Sequence, residues 1–177
     1  VHRSVFVFCS VFGLISFAPS WAAEQSSPLV TQVPLWEKLV EQGDATALEK
    51  AKGLVLGLQG QEKIDGLVAL LKSKVKGLAP HLKIDQWKSV DQMKVAWYAG
   101  QNLDLELLPM VKSLALNSKD ALVQEYSILS LSKYDVAQVK DTFDALKELD
   151  LPLYVQKALD KALALNDPKS SEVSVQK

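Results

Sequence analysis

The sequence predicts an all-α protein: a small right-handed superhelix, or α-solenoid, of antiparallel helical hairpins spanning residues 35–165. Three observations carry this expectation. Apolar residues recur at intervals of three and four along most of that stretch, the period of helices with one buried side. Within residues 120–167 one pattern is written twice: Val123-Gln124, Ser130-Leu131 and Asp135 return 32 positions later as Val155-Gln156, Ala162-Leu163 and Asp167, with a second amphipathic run between the copies. A helix, a turn, a second helix and the first helix again is the layout of a stacked helical repeat. A looser copy stands upstream, where Ala96, Ala99, Leu103 and Asp104 lie 31 positions before Ser127, Ser130, Tyr134 and Asp135.

The chain of 177 residues is long enough for one domain with a real core. Residues 1–23 combine a basic start at His2 and Arg3, an apolar run ended by Pro19, and small residues around Trp21. This is the three-part layout of a secretory signal peptide cleaved after Ala22 or Ala23, and its apolar run is shorter than the roughly 18–20 residues a membrane span needs. Export to the periplasm or beyond follows, with no stable membrane insertion after cleavage. The segment holds the only cysteine, Cys9, and the only arginine, Arg3. The remainder therefore has no disulfide or thiol chemistry. It sets 19 lysines against 21 carboxylates, a net of −2, without the arginine forks and basic stripe of a nucleic-acid binder. Residues 24–34, with two prolines and two serines, read as a flexible tether.

The helices are expected in this order. Leu35–Gln42 places Trp36, Leu39 and Val40 on one side and stops at Gly43, with Asp44 capping the next helix. Residues 45–58 carry a stripe of Leu48, Ala51, Leu54, Val55 and Leu58, interrupted by Gly53 and Gly57, which permit close approach of a neighbour. Residues 62–79 repeat Ile64, Leu67, Val68, Leu71, Val75 and Leu78, with Lys72, Lys74 and Lys76 as a solvated side. Ser89 and Gln92 match a capping box for a helix carrying Met93, Ala96, Trp97, Ala99 and Gly100. Asp104 and Asp135 stand as N-caps of second helices whose inward stripes are Leu105, Leu108, Val111 and Ala115, then Val136, Val139, Phe143 and Leu146. Pro109 either moves the first of these starts to near Leu107 or kinks its first turn. Leu153–Leu165 closes the array as a cap, and residues 166–177 form a disordered tail.

Leu122-Val123-Gln124-Glu125 with Ser127, Ser130-Leu131 and Asp135, the Leu108-Pro109 pair, and Tyr154-Val155-Gln156 with Ala162-Leu163 together resemble short HEAT-like repeats, such as those of phycobilin-lyase-type and other bacterial repeat proteins. The resemblance covers residues 89–165 by motif and 45–78 by helical rhythm alone. It departs from the family in two respects. Gln124 and Gln156 stand where an arginine is frequent, removing a common hydrogen bond between repeats, and the period is shorter than the roughly 40–47 of long HEAT units.

Chemistry is sparse. Beyond the leader there is no phosphate loop, HExxH, CxxC, GxSxG or carboxylate–histidine pair. His81, the one histidine there, sits in a turn without a partner carboxylate. The expectation is a non-catalytic module without cofactor or metal that binds a protein or peptide, not nucleic acid. Helical repeats present a continuous surface through their second helices, here Glu106, Met110, Ser113 and Asn117, then Gln138, Asp141, Asp144 and Glu148. These acids favour a basic partner segment. Trp87, Trp97, Tyr98, Tyr126, Tyr134 and Tyr154 read as packing residues, with Trp97 and Tyr126 marking the place to look if the acidic surface is inert. The competing reading, implied by the lyase-type resemblance, is a periplasmic enzyme or small-ligand protein with a site between hairpins near His81, Trp87 and Trp97.

Overall fold

The computed structural model describes residues 33–166, and within them the chain is all-helical, with no strand. The leader, most of the tether and the tail beyond Asn166 lie outside the described residues. The α-helices are α1 (Leu35–Gln42), α2 (Ala45–Gly57), α3 (Gly60–Lys72), α4 (Ser89–Asn102), α5 (Leu108–Asn117), α6 (Ala121–Leu131), α7 (Val136–Lys147) and α8 (Leu153–Leu165), with two 3₁₀ turns between α3 and α4. No described helix is long and apolar enough to cross a membrane. Helices α1, α2 and α3 pack on one another and α3 on α4; α6 packs against α4, α5 and α8, and α5 also meets α7.

The first three helices follow simple local rules with one rotation. Gly43 ends α1 in the left-handed region, and the Asp44 carboxylate accepts the Ala47 N–H at 2.8 Å to start α2. The buried line of α2 is Ala47, Ala51 and Val55, leaving Leu54 exposed, contrary to the expected stripe. The close approach responsible is made by Gly66 of α3, where a Cβ would come within 2.7–2.8 Å of the Val55 methyls. Gly53 and Gly57 face open space. Helix α3 ends at Lys72, well before residue 79. Lys74 turns left-handed (φ 63°), and the Lys74 and Val75 N–H groups donate to Leu71 and Leu70 in a Schellman closure. The Asn102 amide also donates to the Leu71 carbonyl, at 2.6 Å. Val75 and Leu78 are buried as expected, but from a loop.

The middle of the molecule corrects two caps. Ser89 is the first residue of α4, and Lys88 is its N-cap, without a side-chain hydrogen bond. The Ser89 side chain shares a cleft with Asp120 instead, and Gln92 donates to the carbonyls of Ile84 and Trp87, at 2.7 and 3.2 Å. Asp104 is buried in the turn before α5, accepting the Glu106 N–H at 3.1 Å and pairing with Lys76 at 3.3 Å. Leu107 takes the N-cap position, as Pro109 foretold. Leu105 and Val136, each next after its aspartate, are exposed. Asp135 does cap α7, and Asp120, not singled out from the sequence, caps α6.

Helices α4 and α6 run side by side in the same sense. Their N-terminal ends meet at Ser89 and Asp120, and their C-terminal ends at Gly100, where a Cβ would lie 2.9 Å from the Ser130 backbone. The Ser130 hydroxyl donates to the Ala96 carbonyl across this crossing. The Tyr134 hydroxyl, 2.8 Å from the Ala99 carbonyl and 3.0 Å from that of Asp104, seals the end of α4. The helices α4, α6 and α8 begin at residues 89, 121 and 153, a spacing of 32 throughout. Buried Asp91, Val123 and Val155 keep that register. At that spacing buried Val95 matches buried Ser127, and at a spacing of 31 buried Ala96 and Ala99 match buried Ser127 and Ser130.

A candidate binding surface on α4 and α6

One stripe of α4 carries exposed Val90, Lys94 and Trp97 with half-buried Met93, and one of α6 carries exposed Leu122 and Tyr126 with half-buried Glu125 and Leu129. Their i, i+3, i+4, i+7 spacing puts each set on one stripe. Between the helices these residues, except Leu122, line a groove of about 500 Å³ with Tyr98. Trp97 and Tyr126 meet edge to face across it, ring centroids 6.3 Å apart and planes at 68°. Trp97 is 40% and Tyr126 39% exposed, although large aromatic rings gain most from full burial. The groove is mainly apolar, with Lys94 and Glu125 as its charged walls. The Lys94 ammonium lies 3.0 Å from the buried Asp91 carboxylate, which also accepts from the Gln61 amide.

The second-helix surface has a different character. Ser113, Asn117, Gln138, Asp141 and Glu148 are exposed, and Met110 and Asp144 are half-buried. Glu106 precedes α5 and accepts the Gly77 N–H at 3.1 Å. Asp144 is gripped by Lys140 and by Lys147, the latter at 2.9 Å, and these hydrogen bonds hold its carboxyl at about 2. Two of the four acids expected to attract a partner are thus engaged within the chain. Ser113 and Asn117 instead line a polar cleft of about 300 Å³ with Asp85, Ser89, Gln92 and Asp120. The Ser89 hydroxyl, then the N–H groups of Leu122 and Val123, keep the Asp120 carboxyl below its usual range against the opposing effect of burial.

The six aromatic residues divide. Tyr134 is buried and structural, and Trp87 and Tyr98 are half-buried. Trp97, Tyr126 and Tyr154 are substantially exposed. His81 is exposed in the first 3₁₀ turn, and the groove walls include neither His81 nor Trp87. Among the described residues no group of three or more His, Cys, Asp or Glu side chains is placed to hold a metal ion. The Gln124 amide reaches the Ala115 carbonyl of α5 at 3.4 Å. Comparison with protein-family models, with curated proteins and with solved structures gave no match.

Proposed function

We propose that this chain is an exported, non-catalytic helical-repeat module that binds a protein or peptide, and that the groove between α4 and α6 is its binding surface. The observation that carries this reading is the Trp97–Tyr126 pair left open to water in an apolar cleft. Exposed aromatic rings in a concave apolar setting are the residues that dominate binding energy at protein interfaces. The groove is favoured over the second-helix surface because Glu106 and Asp144 are already engaged. The HEAT-like, right-handed superhelical arrangement is part of the proposal. It draws on helix starts 32 residues apart and on α6 packed between α4 and α8. Export rests on the leader-like pattern of residues 1–23.

The test is site-specific photo-crosslinking in intact cells. A photoreactive phenylalanine analogue in place of Trp97 should capture a discrete protein, and adding Tyr126→Ala should abolish the adduct. The same analogue at Gln138 should capture less. Adducts from Gln138 alone, or none from Trp97, would overturn the assignment of the groove.

A further inference from the structure

The charges on the walls of the groove between α4 and α6 do not cancel. Lys94 is committed to the buried Asp91 carboxylate, whose second oxygen takes the Gln61 amide at 3.2 Å, so that pair is neutral and already partnered. Glu125 stands on the other wall, half-buried, and makes no hydrogen bond or ion pair with any described residue. Lys94, Asp91 and Glu125 together carry one negative charge, and it resides on the carboxylate without a partner. A carboxylate partly withdrawn from water beside apolar walls gains most from a cation that also donates hydrogen bonds.

The rings beside Glu125 narrow the choice of cation. Trp97 and Tyr126 stand with their planes at 68°, and a ring face attracts a cation within about 6 Å of its centre. An ammonium is compact and strongly hydrated, so it loses much on entering an apolar groove. A guanidinium is planar and weakly hydrated, and it can stack on a ring while its N–H edge forks onto a carboxylate. A quaternary ammonium has no N–H to give Glu125, and two rings this exposed do not enclose it as a cage would. Val90, Met93 and Leu129 continue the groove as an apolar wall, which buries a side chain next to the cation and would stay bare beside a free amino acid.

We infer that the groove takes an arginine of the partner protein, its guanidinium stacked against the Trp97–Tyr126 pair and hydrogen-bonded to the Glu125 carboxylate, with a neighbouring apolar side chain of the same segment against Val90, Met93 and Leu129. This rests on the proposed function and names the residue that the partner presents. Residues 33–166 contain no arginine, so a second copy of them cannot supply the guest, which belongs to a different protein. The sign of the partner is the one expected for the second-helix surface, but the carboxylate that selects it is on α6.

The probe is the peptide Gly-Leu-Arg-Leu-Gly, blocked at both ends, compared with counterparts that carry lysine or citrulline in place of the arginine. Citrulline keeps the planar shape and drops the charge. Each is titrated into the isotopically labelled full chain and followed by NMR at the Trp97 indole and at the backbone amides of Glu125 and Tyr126. The arginine peptide should bind about tenfold more tightly than either counterpart, since it alone combines stacking with a charge-assisted fork. Its binding should weaken as salt is raised. Glu125→Gln should erase its advantage over the citrulline peptide and leave the citrulline peptide's own affinity unchanged, while circular dichroism shows the helices intact. Tetramethylammonium at equal concentration should not displace it. Equal binding of the lysine or citrulline peptide, an arginine preference that survives Glu125→Gln, displacement by tetramethylammonium, or no binding of any peptide would overturn the inference. A Trp97 crosslink to a protein in cells, together with any of those results, would sink only the arginine; loss of both crosslink and peptide binding would sink the proposed function as well.

Discussion

Tyr134 shows how much one hydroxyl can organise. It is buried against the end of α4, and burial, with the nearby Asp104 carboxylate, pushes its ionisation well above the ordinary phenol value of about 10. The carbonyls it meets, Ala99 and Asp104, also accept backbone N–H groups of Asp104 and Leu107. Tyr134→Phe therefore leaves neither carbonyl without a partner and should cost about 1 kcal/mol, the lower end for a buried hydrogen bond. The sign of the pH effect follows from the raised value. Below about pH 10 the phenol is protonated both folded and unfolded; above it the unfolded chain releases the proton first, so stability falls as pH rises. Urea melts from pH 8 to 11 should show wild type losing its advantage over Tyr134→Phe, and a constant difference would contradict the role given to burial. Leu103 offers the opposite case: it is exposed yet held at φ 48°. Leu103→Gly should raise stability by about 0.5–1 kcal/mol, because the left-handed region disfavours a Cβ. Gly100→Ala should cost well over 1 kcal/mol, since its methyl would press on the Ser130 backbone as well as on the Ser130 hydroxyl.

Helix starts separate what local chemistry can specify from what it cannot. Asp44 and Asp135 cap α2 and α7 as the sequence implies, and Asp120 caps α6 in the same way, because each reaches N–H groups only two or three residues ahead. Asp135→Ala should lower stability by about 1 kcal/mol in a thermal melt. Ser89 fits the same local rule, but it stands inside α4 and shares a cleft with Asp120, 31 positions away in sequence, whose carboxyl it helps to hold below its usual range, and no capping-box pattern registers such a neighbour. Ser89→Ala should therefore raise the Asp120 titration midpoint in carboxyl NMR. An unmoved midpoint would mean that the hydroxyl does not hold that carboxylate down. The end of α3 was equally hidden, since the apolar period runs on through Val75 and Leu78, which remain buried after the backbone has left the helix. Helix existence was legible from the period of the apolar residues. The groove was legible only as two aromatic names, because Trp97 and Tyr126 obey the same spacing whether a neighbouring helix covers them or not.

Across the chain the helices depend on their neighbours, and α8 is the clearest dependence. It packs on α6 and buries Val155, Ala158, Leu159 and Ala162. Removing residues 153–165 should lower the melting temperature and let a hydrophobic dye bind the uncovered side of α6. A truncated chain that melts like the intact one would show that α8 adds nothing to its neighbour. At the other end of the described residues, Trp36 is buried, and its indole N–H meets no acceptor among the described residues. A buried N–H without a partner forgoes about 1–3 kcal/mol, so Trp36→Phe, which keeps most of the ring and discards the donor, should cost less than a large-to-small change in a core. The same atom makes the molecule self-reporting. An indole shut away from water and hydrogen-bond acceptors emits toward the blue, whereas Trp97, half in solvent, emits toward the red. With Trp21 and Trp87 replaced by phenylalanine, blue-edge emission can then report whether α1 is seated, and red-edge quenching whether the groove is filled, with no label attached.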